Sequence, residues 1–454
     1  MNVSFFQELL NSITERGRAL LAGAPAKATG SALTGLARGL ISGRGEASGV
    51  ALAGEILCAY SCTDEAEKLE FFRFLLDDLT PAPEIVTQAA QAYLENPSPG
   101  ALSELETAVE SPRREFFRRL NLAPGATSCI VAMRADLMSL LSQAPELRPV
   151  DADLVHLLGT WFNRGFLVMR AIDWSTPASI LEKIIDYQAV HEIRGWDDLR
   201  RRLDPADRRC FGFFHPSLVD EPLIFVEVAL THEIPASIQE LLGAQRAQTR
   251  DADAPTTAVF YSISNCQEGL RGISFGNFLI KQVVQDLARE IPSLRTFVTL
   301  SPAPRFAAWL VRRAREENKA RDNETLELLE DSSWAAHAQH QQRLKPVLMP
   351  LAAEYYLAAR TGTGRPVDPV ARFHLGNGAR LERINWLGDK SARGLRQSHG
   401  IMVNYLYELS DIEKNHESYI NEGEIATSRA VRALVKTTGI SRHINKKRVK
   451  ADIL

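Results

Sequence analysis

Residues Arg271 to Asn277, reading RGISFGN, have the makeup of a phosphate cradle. They follow a strand candidate and open a helix candidate, where backbone N–H groups and the helix dipole converge on an anion. Gly272 and Gly276 allow the backbone to approach a bulky phosphate group closely. The loop lacks both the GK[ST] of a P-loop and the G-x-G-x-x-G of a dinucleotide fold, which leaves the pyrophosphate of another cofactor. A glycine-bearing connection with no ligand has the same spacing, so spacing alone does not choose between the two. Gly272-Ile273-Ser274-Phe275-Gly276 also matches G-x-S-x-G, the nucleophile elbow of hydrolases. An elbow needs its strand to run directly into the motif, and here Asn265 to Arg271 intervene. That disfavours the hydrolase.

Other chemistry-bearing residues are weaker on local grounds. His337 and His340 lie three apart on a helix candidate without a third ligand, which reads as a solvated face and not a metal site. Cys58 and Cys62 form a lone C-x-x-x-C with no second pair. Arg312, Arg313 and Arg315 read as a solvated helix face. Ser301, before Pro302, reads locally as a strand-end turn residue. His374 is one of ten histidines and stands just before a hairpin-type turn at Asn377-Gly378. Taken alone, it reads as a hydrogen-bonded structural histidine.

The elements that must position these residues fall into two unlike halves. Residues 1 to about 150 read as an all-helical domain, with three- and four-residue apolar steps over Ala66–Leu79, Pro83–Leu94, Glu104–Leu120 and Val131–Leu141. Leu21 to Gly54 holds eight of the 28 glycines and reads as a mobile segment or loosely packed helices with loops. From residue 151 to 454 the texture is α+β. Strand candidates are Gly165–Trp174, Pro222–Leu230, Ala258–Ser264 and Leu294–Ser301. Pro177–Val190 is a helix with Ser175 or Thr176 as N-cap. Asn277–Ile291 is amphipathic, with Ile280, Val283, Val284, Leu287 and Ile291 on one stripe. Val311–Tyr356 returns to helix, and Val370–Ala430 mixes short strands, the Asn377-Gly378 turn and a closing helix.

Composition bounds the function classes. Charged residues are 24% and hydrophobic ones 45%, as in soluble globular proteins. The net charge of −3 gives no support for a nucleic-acid coat or a polybasic membrane binder. No apolar run reaches the ~18 residues of a membrane span, and the start carries no secretory signal pattern. Five scattered cysteines suit a reducing compartment, and the terminal ADIL is not a peroxisomal address. The expectation is a cytoplasmic protein.

Five blocks carry a family resemblance: Phe213–Thr231, Tyr261–Val284, Thr299–Phe306, Phe373–Gly394 and Gly400–Tyr407. In order and spacing, from about Val150 onward, they resemble malonyl-CoA decarboxylases. The resemblance implies a catalytic domain with the acetyl-CoA-dependent N-acetyltransferase fold, in which two parallel strands splay around the pantetheine arm of coenzyme A. It implies malonyl-CoA contacts along Arg271, Gly272, Ile273, Ser274, Phe275, Gly276 and Asn277, and at Ser301 and His374. It puts the catalytic serine at Ser301, the catalytic histidine at His374, and an associated tyrosine at Tyr407. Ser274 departs from the family pattern, where an acidic residue can orient the histidine; Asp389 and Glu382 are candidates for that carboxylate.

The implied reaction suits these residue types. Loss of carbon dioxide leaves an enolate on the thioester, which needs a stabilised oxygen and one proton at carbon. The thioester carbonyl is the electron sink, so no metal or separate cofactor is expected; coenzyme A belongs to the substrate. An ordinary histidine, with a pKa of about 6.5, suits the protonation. Ser301 either polarises the substrate or relays a proton. The alternatives are an acyl-CoA-dependent acyltransferase, an acyl-CoA thioesterase or hydrolase, and a coenzyme-binding scaffold. Malonyl-CoA and acetyl-CoA are the expected partners, with no nucleic acid or membrane. The resemblance also suggests a homo-oligomer, of tetramer size, built partly through the helical half.

Overall fold

Local signals start most of the helices in the first half. The computed structural model describes residues 30–42, 46–188, 190–218, 220–243, 254–273, 279–317, 320–331 and 333–436. It divides into two units. One comprises Met1–Val168, Phe213–Leu223 and Asn265–Phe275; the other comprises Met169–Gly212, Ile224–Ser264 and Gly276–Leu454.

The first unit contains helices α1 (Gly30–Ile41), α2 (Glu46–Ser61), α3 (Glu65–Asp77), α4 (Pro83–Glu95), α5 (Pro99–Val109), α6 (Pro112–Leu120), α7 (Ala126–Leu140) and α8 (Arg148–Trp161). Asp64 caps α3 in a reciprocal box with Glu67. Ser98 and Ser111 cap α5 and α6, each followed by a proline at the helix start. The Ser111-Pro112 break therefore divides what apolar spacing suggested was continuous from Glu104 to Leu120. The glycine-rich stretch supplies α1 and part of α2 where it is described, and its small residues are packed. Leu33, Ala37, Ala51 and Ala53 are buried, and a Cβ on Gly39 would lie 3.9 Å from Leu52 Cδ1. Arg113 and Asp153 form a buried ion pair at 2.9 Å. The α4–α5 pair differs from all of this: neither helix buries a residue.

In the chain's second half the sheet is laid down in short pieces. Strand β1 (Val168–Ile172) occupies the middle of the expected Gly165–Trp174 segment. Helix α9 (Ala178–Tyr187) starts after Pro177 with no side-chain cap, so neither Ser175 nor Thr176 is its N-cap. Both close a turn on Asp173 instead: Ser175 N–H donates to its carboxylate at 2.8 Å, and Asp173 N–H donates to Thr176 Oγ1 at 3.0 Å. After α10 (Trp196–Leu203) come β2 (Arg208–Phe214) and β3 (Pro222–Thr231). Strand β3 is buried along its whole length, as its continuous apolar run implies. Short α11 (Ile238–Leu242) precedes β4 (Thr257–Asn265).

Helix α12 (Leu279–Glu290) carries the chain from β4 to β5 (Thr296–Thr299), and the two strands run parallel. The expected apolar stripe of α12 is buried at Ile280, Val283, Val284 and Leu287. Pairing between β4 and β5 runs from Thr257 opposite Thr296 to Phe260 opposite Thr299. One more bond follows, from Leu300 N–H to Phe260 C=O at 2.9 Å. There the ladder stops. The expected single strand Leu294–Ser301 is thus two pieces, β5 and β6 (Ser301–Pro302), interrupted at Leu300.

The expected helical run holds α13 (Phe306–Glu317), α14 (Ala320–Glu330) and α15 (Ala338–Leu357). Then come α16 (Pro369–Gly376), β7 (Arg380–Asn385), α17 (Ala392–Ser398), β8 (Met402–Leu406), α18 (Ile412–Glu417) and α19 (Arg429–Lys436). The sheet order is β1-β2-β3-β4-β5-β8-β6, with β7 also pairing β8. Strand β8 lies antiparallel to β5 at Leu406–Val298 and to β6 at Val403–Ser301. Asn377-Gly378 is not a hairpin turn. It is the C-terminal cap of α16, with Gly378 in the left-handed region at φ +80°. A Cβ there would meet Ile412 O at 2.1 Å, so packing as well as conformation demands glycine. No helix of the described residues is long and apolar enough to cross a membrane.

Candidate active site

Helix α16 is built to hold His374 still. Asp368 caps it, accepting from Ala371 N–H at 2.8 Å, and Tyr355 O–H donates to the same carboxylate at 2.9 Å. At the other end the His374 carbonyl accepts from the N–H groups of Asn377 and Ala379, each at 3.1 Å. The imidazole stacks on Tyr405 of β8, with ring centroids 4.6 Å apart and planes 25° from parallel.

Strand period does the rest. Residues two apart on a strand share a face, as Tyr405 and Tyr407 do at the end of β8, while Thr299 and Ser301 meet through their hydroxyls across the interruption at Leu300. Tyr407 O–H and His374 Nδ1 are 2.8 Å apart, and His374 Nε2 lies 3.1 Å from Ser301 Oγ. Ser301 O–H donates to Thr299 Oγ1 at 2.9 Å. With its proton committed there, the Ser301 oxygen is the acceptor for Nε2–H, and Nδ1 then accepts from Tyr407. The chain runs Tyr407 to His374 to Ser301 to Thr299. Thr299 Oγ1 also accepts Tyr405 N–H at 3.1 Å.

Burial decides the charge of this group. A helix C-terminus favours an imidazolium by about 0.3–1 kcal/mol, less than one pKa unit. Burial acts the other way and pushes the His374 pKa down to about 3. Burial wins, and the ring is neutral near pH 7. This corrects the expectation of an ordinary histidine pKa. Burial also raises the Tyr407 and Tyr405 hydroxyls well above the usual phenol value.

Of the expected site residues, Ser301, His374 and Tyr407 come together. Arg271, Gly272 and Ile273 belong to the first unit, where they form most of a turn. Ser274, Phe275, Gly276 and Asn277 lie outside the described residues. The candidate carboxylates are engaged elsewhere: Asp389 accepts from Gln239 Nε2 at 2.8 Å, and Glu382 pairs with Arg380 at 2.8 Å. Tyr407 is the group on Nδ1. Sequence reasoning missed Thr299 and Tyr405, and the signal was available: each stands two residues before a recognised site residue. Among the described residues no group of three or more His, Cys, Asp and Glu is placed to hold a metal, and the five cysteines are free.

Comparison with known proteins identifies the family. Residues 165–445 match the family model described as the malonyl-CoA decarboxylase C-terminal domain, and residues 79–162 match its N-terminal domain. The mitochondrial malonyl-CoA decarboxylase of Anser anser anser is 37% identical over 383 residues, 78% of this chain and 76% of that protein. That of Rattus norvegicus is 36% identical over 362 residues, 74% and 73% respectively. The crystal structure of malonyl-CoA decarboxylase from Rhodopseudomonas palustris is 53% identical, with a TM-score of 0.85 over 90% of this chain and 100% of that one. The chain belongs to the malonyl-CoA decarboxylase family.

Proposed function

We propose that this chain decarboxylates malonyl-CoA to acetyl-CoA and carbon dioxide, with Ser301 and His374 supplying the proton. The observation behind this reading is the buried Tyr407–His374–Ser301–Thr299 chain in a member of this family. When the carboxylate leaves, its bonding electrons delocalise onto the thioester oxygen, so the substrate is its own electron sink. The α-carbon then takes a proton from Ser301 Oγ, His374 Nε2–H replaces it, and Tyr407 O–H protonates Nδ1, leaving the imidazole neutral in its other tautomer and the phenol oxygen of Tyr407 to be reprotonated. A proton from solvent completes the balance. A neutral imidazole is a weak acid, but a thioester enolate is a strong base, and the Tyr407 bond to Nδ1 limits the charge left on the ring. The buried surroundings also withhold the water that would solvate the leaving carboxylate. The loop at Arg271–Asn277 takes the coenzyme pyrophosphate.

The tautomer argues against the hydrolase alternative. A serine nucleophile needs a histidine lone pair facing its hydroxyl. Here Ser301 donates to Thr299 and receives from Nε2–H, so it is not primed for attack on a thioester. The test is malonyl-CoA incubated with the protein alone and followed by mass spectrometry. Acetyl-CoA with carbon dioxide is the expected product pair. Free coenzyme A with malonate would make it a hydrolase, and turnover only with an added acceptor would make it an acyltransferase.

Two coarser features complete the proposal. The chain forms a homo-oligomer, of tetramer size, using the apolar side chains that α4 and α5 leave uncovered, among them Leu94 and Leu102. Its five free cysteines suit a cytoplasmic location.

A further inference from the structure

The strand pieces that carry Thr299 and Ser301 depart from a regular ladder at one bond. Strand β8 keeps a single register with both, Val298 opposite Leu406 and Ser301 opposite Val403, so Thr299 falls opposite Tyr405. Tyr407 N–H donates to Phe297 C=O at 2.8 Å, and in an antiparallel pair the hydrogen-bonded positions recur every second residue. The next bond of a regular ladder would therefore run from Tyr405 N–H to Thr299 C=O. Tyr405 N–H donates instead to Thr299 Oγ1 at 3.1 Å, and the Thr299 carbonyl accepts from Asn404 Nδ2 at 2.7 Å. One backbone bond has been exchanged for two side-chain bonds.

Asn404 is placed for that exchange. It is 0% exposed, and its amide uses all of its hydrogen-bonding positions. Nδ2 also donates to Pro235 C=O at 3.3 Å, while Oδ1 accepts from Arg383 Nε at 3.0 Å and Asn385 Nδ2 at 2.8 Å. A guanidinium can only donate, so it fixes Oδ1 on its own side and turns Nδ2 toward Thr299. Arg383 is held in turn through Nη2, which donates to Ile234 C=O at 2.9 Å and Pro235 C=O at 2.7 Å. On β7, Leu381 pairs with Tyr405 and Arg383 with Asn404, which leaves Glu382 as the extra residue of a bulge. Such a bulge re-aims a side chain, here Arg383 onto Asn404.

We infer that Asn404 is a positioning residue for the decarboxylation: it draws the Thr299 carbonyl aside, so that the Thr299 hydroxyl takes the Tyr405 amide and holds a fixed acceptor for the Ser301 proton. Arg383 serves the same end by orienting the Asn404 amide. Without that grip the Tyr405 amide returns to the carbonyl, the Thr299 hydroxyl turns freely, and Ser301 loses its set partner. The inference rests on the proposal that Ser301 delivers the proton.

Asn404→Asp in the full chain keeps the shape of the side chain and its acceptor toward Arg383, but removes the donor that grips Thr299. Turnover of malonyl-CoA, as kcat, should fall by roughly tenfold or more, the scale of one buried hydrogen bond, with KM held within about twofold. In a Thr299→Val background the same substitution should cost little more, because the hydroxyl through which it acts is gone. A general loss of packing would lower kcat by the same factor in both backgrounds. Unchanged kcat in a folded variant, or an equal loss in both backgrounds, would overturn the inference. Should Asn404→Asp fail to fold, Arg383→Lys decides at a half-buried position, because one ammonium cannot serve Asn404 and both carbonyls. A several-fold fall in kcat that vanishes beside Thr299→Val is expected there, and no fall would again overturn the inference. Ser301→Ala separates this from the proposed function. If that variant decarboxylates normally, the proton assignment falls and takes the inference with it. If it loses turnover while Asn404→Asp keeps its own, the inference alone fails.

Discussion

The α4–α5 pair and the β5–β8 seam are opposite solutions to holding side chains in place. Neither helix of the pair buries a residue, and Ile85, Leu94, Leu102 and Val109 are between 41% and 77% exposed. At the seam Thr299 is 0% exposed, Tyr407 2% and His374 3%. The helices stand on local signals, a proline at each first turn and a serine cap on one. The seam stands on contacts between residues far apart in sequence. Surface substitutions in the first should be nearly silent for chemistry, while the second tolerates almost none.

The largest effect should come from His374→Asn, which keeps a similar shape and a hydrogen-bond donor but removes the imidazole. Coenzyme binding should persist while acetyl-CoA formation at saturating malonyl-CoA falls by about 10² to 10⁴-fold. Near-normal turnover would remove His374 from the reaction. Ser301→Ala should also cut turnover, and because both groups act in one proton chain, the double variant should fall short of the product of the single losses. Full multiplicativity would break the relay into two independent groups.

Thr299→Val should lower kcat by roughly tenfold, the scale of one buried hydrogen bond, with KM little changed. Thr299→Ser should recover most of the loss; failure of that rescue would mean that Thr299 acts through packing. At the other region, Leu94→Glu with Leu102→Glu should leave turnover per chain unaltered while light scattering records a smaller particle. A particle of unchanged mass would clear the pair of any part in assembly.

The smallest effect concerns pH. His374 has a pKa of about 3 in the fold and about 6.5 unfolded, so between these values the unfolded chain binds a proton that the folded one refuses. Stability therefore falls as pH drops below about 6.5, by up to about 1.4 kcal/mol per unit from this residue, and is unaffected by it above. Buried His191 and His399, each pushed down to about 4, act in the same direction. Urea melts from pH 7 to 5 should be less pH-dependent in His374→Asn than in the parent. Equal slopes would mean that His374 is protonated in the fold.

Much of this architecture was legible in the sequence where the cause is local. The stripe of α12 and the buried run of β3 follow from apolar spacing, whereas that same spacing runs through the break before α6, which only Ser111-Pro112 marks. The misreadings have physical reasons. Asn377-Gly378 has hairpin chemistry, but the same left-handed glycine ends a helix, and only the close approach of Ile412 O shows which is required. Leu294–Ser301 reads as one strand because composition does not reveal that β8 exchanges one partner for another at Leu300. Ser301 and His374 were recognisable through family blocks, whereas the depressed pKa of His374 depends on burial beneath Tyr405, which no local pattern encodes.

Where β5 gives way to β6, a hydroxyl takes the place of a strand. Thr299 Oγ1 accepts Tyr405 N–H at 3.1 Å, and Asn404 Nδ2 reaches the Thr299 carbonyl at 2.7 Å. The oxygen that receives the Ser301 proton is therefore also the acceptor of one particular backbone amide. That makes the Tyr405 amide a built-in reporter. Its NMR frequency responds to the hydroxyl orientations of Thr299 and Ser301, and its exchange with deuterium measures how often the seam opens. A bound substrate that draws Ser301 away from Thr299 would be seen at Tyr405 without any label placed near the reaction.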